Sequence, residues 1–504
     1  MTRIGSASRL LPLALLAGCA VGPDFKTPPA PPAERVSAQP LVDKTVATPV
    51  DAGEAQTFIS NKPVSAQWWT LFGSDKLNGL IDEALKASPS VTSAQAALRV
   101  AQENYRAQAS TLFPTFDGSF SGTRQKIDTA SFGNPGGGAT IYNIYKASVD
   151  VSYGIDLWGG TRRGVEASRA TAEAQAYELE ATYQTLIANI ITSAVTEAAQ
   201  RTLLQGQYIV VADQEKLLKV TQHQFDAGAI SRSDLLSAES NLATERSKLP
   251  GFQLAVTQAQ NQLAVYLGKT PSEFAVSNFD LSELKIPQEI PVSLPSELVR
   301  QRPDIRAAEA QLHEASANVG VATANLLPQI ALTASIGTQA SVLDQLFTGN
   351  IFSIGGTITQ PIFHAGELTA KRRAAIASLD KAAADYKLTV LTAFQNVADT
   401  LRALETDADY LQAQYIAADS AGRSLKLAEL QYRLGGTSYL SLLNAQQTYT
   451  KARAGYISAQ ATRLTDTAAL FQALGGGWTQ RDPKVPFPPE SASAPVPAQV
   501  STSH

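Results

Sequence analysis

Two hydrophobic periods alternate along the chain. From Ser90 to Phe113 the sequence is Ala- and Gln-rich and free of Gly and Pro, which predicts a helix. After Pro114 the period becomes two. Phe116, Gly118, Phe120 and Gly122 share one face, with Asp117, Ser119, Ser121 and Thr123 on the other. Ala147, Val149, Val151, Tyr153 and Ile155 then alternate with Ser148, Asp150, Ser152 and Gly154. A second pair of strands follows after Pro328. Ile330, Leu332, Ala334 and Ile336 alternate with small or polar residues, as do Ile354, Gly356 and Ile358. The strands are expected at about 115–125, 145–157, 329–338 and 351–361. Between and after the pairs lie runs without Pro, about Thr161 to Phe225 and Glu367 to Tyr432. At 1.5 Å per residue, ~65 residues make a helix of about 100 Å. In the second run Val390, Phe394, Val397, Leu401 and Leu404 recur at 4, 3, 4 and 3, a seam for helices packed side by side.

These elements occur twice. Pro89 to Pro114 and Pro303 to Pro328 each span 25 residues, at an offset of 214. Asp156–Gly160 aligns with Ile362–Gly366 at 206, and Phe225–Gly228 with Tyr432–Gly435 at 207. Leu267-Gly268 matches Leu474-Gly475, still at 207. The drop after the first strand places a longer loop in the first half, at the Gly-rich 132–140. The chain is thus an internal duplication, with a first repeat over 65–288 and a second over 289–478. Gly228 and Gly435-Gly436 end the long helices, and a returning helix follows each. Ser231 or Ser233, and Thr437 or Ser438, are the N-cap candidates. Each repeat therefore ends in an antiparallel helical hairpin.

Apolar residues on one strand face and small polar ones on the other suit a β-barrel with lipid outside and water inside. A soluble sandwich with one wet face is the alternative. Runs of about 10 residues match a tilted bilayer-spanning strand. Phe113, Tyr142, Tyr145, Trp158, Phe352 and Phe363 near the strand ends suit an interfacial girdle. Four strands cannot close a barrel, and open edges cannot face lipid. Two copies would supply eight strands, which fill their own interior; three are the smallest number that leaves a pore. The strands join the helices through Pro114, Gly160, Pro328 and Gly366, so a strand barrel is expected to continue into a helical one.

The start of the chain adds a destination. Arg3 and Arg9 precede an apolar run that ends in Leu16-Ala17-Gly18-Cys19, a lipobox-like sequence. Residues 1–18 read as a signal peptide, with Cys19 as the lipid-bearing first mature residue. It is the single Cys in the chain. Ala20, and not an Asp, follows it, which points to the outer membrane. Residues 19–64, rich in Pro, Ala and Thr, are expected to be lipid anchor and extended tether. Residues 479–504 are expected to be disordered.

Composition then excludes chemistry. One Cys leaves no disulfide framework or multi-Cys zinc site. A formal charge of −4 argues against a nucleic-acid binder. There is no GxxxxGK[ST], HExxH or GxSxG, so no cofactor, metal or enzymatic activity is expected, apart from a covalent lipid on Cys19. His223, His313 and His364 read as surface or tunnel residues.

Several motifs resemble the outer-membrane efflux protein family, the TolC-like lipoprotein exit ducts of tripartite pumps. They are Trp69-Thr70-Leu71-Phe72 with Asp75, Leu77 and Leu80-Ile81; Arg302-Pro303-Asp304-Ile305-Arg306-Ala307-Ala308-Glu309; Gly355 to Phe363; and Ala473 to Trp478. Ala87-Ser88-Pro89-Ser90 departs from the family's usual Asn-x-Asp, a change expected to touch a helix cap. The resemblance implies a mixed α+β membrane protein, with four transmembrane strands per chain in a shared trimeric barrel above a long periplasmic helical barrel. It implies a homotrimer in outer-membrane lipid, extending into the periplasm. The hairpin tips at Gly228, Gly435 and Gly436 would meet a periplasmic adaptor and an inner-membrane transporter. The function implied is passive conduction of small molecules such as drugs. A structural or adhesive coiled-coil lipoprotein and a type I protein-secretion duct are the alternatives. By the same resemblance, the periplasmic constriction falls at Leu440 and Asn444, with Gln447 following. The spacing i, i+4 puts the first two on one helix face. Here Asn444 stands where the family has an acidic residue. Packing of Leu440 within the hairpin is the bland reading of that residue. Asp234 in the first hairpin is a weaker tunnel candidate.

Overall fold

The computed structural model describes residues 20–29, 39–128, 139–274 and 278–480. In chain order the elements are β1 (Thr57–Ser60), α1 (Asp75–Ala87), α2 (Pro89–Ser110), β2 (Thr115–Asp128), β3 (Ala139–Ile155), α3 (Gly160–Asp226) and α4 (Arg232–Tyr266). Then come β4 (Glu289–Val292), α5 (Pro295–Gln301), α6 (Pro303–Ala324), β5 (Gln329–Ala340), β6 (Asn350–Thr359), α7 (Glu367–Arg433) and α8 (Tyr439–Ala473). In the longer helices the duplication holds to the residue. α2 and α6 have 22 residues each, α3 and α7 have 67, and α4 and α8 have 35. Pro89 and Pro303 open α2 and α6, where a missing N–H costs nothing. The longer loop expected at 132–140 falls almost entirely outside the described residues.

The chain forms two compact units. One comprises residues up to 28, 98–175 and 307–387; the other 29–97, 176–306 and 388 onward. In the first, the four expected strands form one antiparallel sheet in the order β2-β3-β5-β6. Its register links the apolar positions into rows. Phe116 lies opposite Val151, Val151 opposite Ala334, and Ala334 opposite Ile354. Gly118, Val149, Ile336 and Phe352 make the next such row. Asp117, Asp150, Ser335 and Ser353 make a row on the other face. The apolar face is bare: Phe352 is 81% exposed and Ile354 84%. Among the described residues β2 and β6 each have a neighbour on one side only.

The second unit carries the main apolar core. Trp68 is fully buried, stacked on Phe471 at 5.2 Å, and donates its indole N–H to Gln184 Oε1 at 3.2 Å. Leu77, Ile81 and Leu85 of α1 bury the same core. The expected seam is present. Val390, Val397, Leu401 and Leu404 are buried on α7, and Tyr183, Ile187, Ile190 and Ala194 at matching positions of α3. The fifth matching position, Glu197, is fully buried and fully used. Arg201 pairs with it, Gln260 donates to it at 3.0 Å, and the Phe279 N–H at 3.3 Å. Arg302 of the Arg-Pro-Asp motif donates to the Ala473 carbonyl at 2.6 Å, satisfying an orphan acceptor at the end of α8.

Residues 39–64 differ from a free tether. They carry little regular structure, but they are packed. β1 pairs in parallel with β4. Gln460, Arg463 and Thr467, spaced one turn apart on α8, hold the stretch through polar contacts. Gln460 donates to the Asp51 carbonyl at 2.8 Å. Arg463, fully buried, donates to the carbonyls of Ala52 at 3.0 Å and Glu54 at 2.7 Å. Gln56 donates to Thr467 Oγ1 at 3.3 Å. An extended strap satisfies its backbone groups in this way without a core of its own.

Truncating Trp68 to Ala should cost roughly 3–5 kcal/mol. The expected readout is a lowered thermal midpoint for the solubilised protein, with Phe113→Ala, on an exposed side chain, as a near-neutral control.

Candidate functional site

The returning hairpins are built by one device used twice. At the end of α3 the Gly228 N–H bonds the Phe225 carbonyl at 2.9 Å and the Ala229 N–H bonds Gln224 at 2.8 Å. At the end of α7, Gly435 bonds Tyr432 at 3.0 Å and Gly436 bonds Gln431 at 2.8 Å. Both are Schellman closures, which need a left-handed residue. Gly228 (φ 73°) and Gly435 (φ 75°) supply it; Gly436 does not adopt that conformation. Nothing lies within 4 Å of a Cβ built at Gly228 or Gly435, so backbone conformation alone, and not space, requires glycine there.

Helices α4 and α8 then begin with Ser231 and Ser438 as N-caps. In the first hairpin the carboxylate of Asp234 accepts from the Ser231 N–H at 3.2 Å and hydroxyl at 2.8 Å, closing a capping box. Asp234, the weaker tunnel candidate, thus also closes the cap of α4. In the second hairpin Leu440 is 64% exposed, and Asn444 and Gln447 are exposed too. The packing against the hairpin falls to Tyr439 and Leu442, which cluster with Ala238 and Tyr432. Burial pushes the Tyr439 hydroxyl above its ordinary range, and Asn241 donates to it at 3.1 Å. Leu440 borders a groove with Ser233, Asp234, Ser237 and Tyr439. The three constriction candidates are thus presented outward on one short stretch.

At the strand–helix junctions, Pro114 and Pro328 directly precede β2 and β5. The turn into α3 is made by Gly159 (φ 77°), one residue before the expected Gly160. Gly160 is the first helical residue. Gly159 thus matches Gly366 (φ 85°) at an offset of 207, the same as the helices. The doubled glycine in the sequence hides which of the two makes the turn. Asp156 caps α3 by accepting from the Thr161 and Arg162 N–H groups at 3.2 and 2.9 Å. The Trp158 indole donates to the Pro328 carbonyl at 2.8 Å.

A docked N-terminal segment was not legible in the pattern. Cys19 lies outside the described residues, but Val21 donates to the Trp158 carbonyl at 2.9 Å. A Cβ on Gly22 would stand 2.4 Å from the Gly320 Cα, so two glycine backbones cross in contact. Asp24 pairs with buried Arg163, which also pairs with Glu166 at 2.8 Å. His313 bonds Glu166 at 2.8 Å and stacks on Phe25 at 4.4 Å. Burial alone would raise the Glu166 carboxyl; the bonds from Arg163 and His313 outweigh it and hold it below its usual value. His313 is therefore a half-buried member of this cluster.

Among the described residues no group of three or more His, Cys, Asp or Glu could hold a metal ion, and no helix is long and apolar enough to cross a membrane.

The described geometry has known counterparts. A sequence model of outer membrane efflux proteins matches residues 80–269 and 294–476. The probable efflux pump outer membrane protein TtgC of Pseudomonas putida is 31% identical over 472 residues, covering 93% of this chain and 94% of that protein. The pyoverdine export outer membrane protein OpmQ of Pseudomonas aeruginosa is 29% identical, covering 82% and 87%. Among solved structures, the outer-membrane channel OprN superposes with a TM-score of 0.80 at 28% identity, covering 91% of this chain and 100% of that one. The open state of the MtrE outer membrane channel of Neisseria gonorrhoeae gives 0.76 at 27%, covering 91% and 99%. Mixed α+β and TolC-like in fold, the chain belongs to the outer membrane efflux protein family.

Proposed function

We propose that the protein is the exit duct of a tripartite efflux pump, conducting small molecules such as drugs passively from the periplasm to the exterior. The observation that carries this reading is the four-stranded sheet, with bare apolar rows on one face, a carboxylate- and hydroxyl-bearing row on the other, and a free edge at each side. A stalk or adhesin does not need such a sheet. In hydrocarbon, unpaired strand edges are too costly to stand, so β6 of one copy joins β2 of the next. Three copies make twelve strands and leave an open lumen. The names of relatives, which include toluene efflux and pyoverdine export proteins, support a small-molecule cargo.

In this reading Cys19 carries the lipid and the hairpin tips around Gly228 and Gly435 meet an adaptor protein, which links the duct to an inner-membrane transporter. Leu440, Asn444 and Gln447 line the periplasmic constriction. With Asn444 neutral, the constriction closes by apolar and hydrogen-bond contacts and attracts cations less than a carboxylate ring would. The duct itself catalyses nothing.

Reconstituted in a planar bilayer, the protein should conduct, and its native mass should be that of three chains; a non-conducting monomer overturns the reading. The double substitution Leu440→Ala, Asn444→Ala should raise single-channel conductance, and an unchanged value removes these residues from the constriction. Cys19→Ser should lose the acyl mass in intact-mass spectrometry. Gly435→Ala should destabilise the second tip by roughly 1–2 kcal/mol, seen as faster amide exchange at 431–438.

A further inference from the structure

The two repeats end their returning helices in the same way. At the end of α8 the N–H groups of Leu474, Gly475 and Gly476 donate to the carbonyls of Leu470, Gln472 and Phe471, each at 2.9 Å. At the end of α4 those of Leu267, Gly268 and Lys269 donate to Leu263, Val265 and Ala264 at 3.1, 3.0 and 2.9 Å, every residue at an offset of 207. Each end is pressed onto the same stretch of its own repeat. A Cβ on Gly475 would stand 2.8 Å from the Gln301 carbonyl oxygen, and one on Gly268 2.6 Å from that of Ala87. Ser88 therefore stands to the end of α4 as Arg302 stands to the end of α8. What fills that place differs. In the second repeat Arg302 pairs with Asp304 and donates to the Ala473 carbonyl, both at 2.6 Å. In the first, the matching residues are Ser88 and Ser90, whose hydroxyls share a hydrogen bond of 3.0 Å. Among the described residues none donates to the Tyr266 carbonyl, the counterpart of Ala473. Where one repeat holds a guanidinium, the other leaves a pocket of about 440 Å³, bordered by Ser88, Ser90, Leu186, Asn189, Val265 and Tyr266.

We infer that this pocket is a binding site for a small organic cation, whose guanidinium or amidinium group takes the place that Arg302 holds in the other repeat.

The surroundings support this. Ser88 is 2% exposed, so the shorter side chain has emptied an interior place and not a surface one. The Tyr266 carbonyl belongs to the last turn of α4, where orphan acceptors and the negative end of the helix dipole favour a cationic donor. None of the lining residues carries a charge, so no lysine or arginine of the chain occupies the place already. The α2 helix also begins here, but Pro89 has no N–H to present. The second repeat shows that a guanidinium is accepted between two such helix ends. There Asp304 adds a carboxylate; here Ser90 adds a hydroxyl, so the carbonyl side carries the recognition. Buried Leu186 and exposed Val265 supply apolar walls for the body of a ligand. The volume points the same way. A pocket of about 440 Å³ falls in the range of about 300–1,000 Å³ usual for small organic ligands and is far larger than a bare ion needs. The site lies within one repeat and does not rest on the duct reading.

Benzamidine, an amidinium on a phenyl ring, is the probe, and benzamide, its uncharged isostere, the control. Isothermal titration of the full-length solubilised protein should show benzamidine binding at one site per chain. Benzamide should bind about tenfold more weakly or less, the difference between a charged and a neutral donor on a carbonyl. The double substitution Ser88→Arg, Ser90→Asp installs the second repeat's own pair. It should abolish benzamidine binding while the thermal midpoint stays at or above that of the wild type. Ser90→Asp alone changes an exposed side chain and serves if the double variant does not fold. It should tighten benzamidine several-fold, as an exposed ion pair does, and leave benzamide unchanged. No binding of benzamidine to the wild type, equal binding of benzamide, or a benzamidine affinity that both variants leave untouched overturns the site.

Discussion

A strand edge in hydrocarbon has no water to satisfy its N–H and C=O groups, and that constraint organises the molecule. The first unit's sheet has four strands among the described residues, β2, β3, β5 and β6, with bare Phe and Ile rows on one face. Such a face repels water and such edges repel lipid. Only closure with further strands removes both problems. The small residues follow from the same demand. Gly118, Gly356 and Gly337 lie in the sheet rows, and Ala is the commonest residue of the long helices, so that walls stay thin and closely packed. The low charge content, 17%, follows as well, because a wall with wetted faces is finished with hydroxyls and amides.

Duplication supplies the scaffold, and divergence within it supplies the asymmetry. Helix lengths, Schellman glycines and N-cap serines repeat between the halves. The polar staples do not. The capping carboxylate of Asp234 is matched by Ser441, the ion-paired Glu197 by Leu404, and Ala259 by Asp466. A repeat can change such side chains freely where backbone geometry is already secured by caps. The two hairpins can then share one shape and respond differently to their surroundings.

Much of the fold was legible in the sequence because its punctuation is local. Pro before the first strand of each pair, Gly after each long helix and a clean change of period from 3.6 to 2 mark boundaries within a few residues. The elements found agree with those expected, with β3 starting at Ala139 and so longer than its alternating core. What escaped was non-local. Residues 39–64 have no period to announce that Gln460, Arg463 and Thr467 catch their carbonyls. The meeting of Gly22 with Gly320, or of Phe25 with His313, leaves no local trace either. The capping role of Asp234 was missed, although the Ser-x-x-Asp spacing that makes it a cap was present to be read. For the candidate site, the order along the chain was legible and the outward presentation of Leu440 was not.

The crossing of Gly22 and Gly320 has a consequence in time. The segment around Gly22, synthesised early, docks onto a helix made about three hundred residues later, and the strap near Asp51 waits still longer, for Gln460. Folding that must close loops of this size is slow, and until it is done the segment has no partner. These early residues are therefore among the last parts of the protein to find a place, and a chain cut short before α8 would leave the strap without Gln460, Arg463 and Thr467.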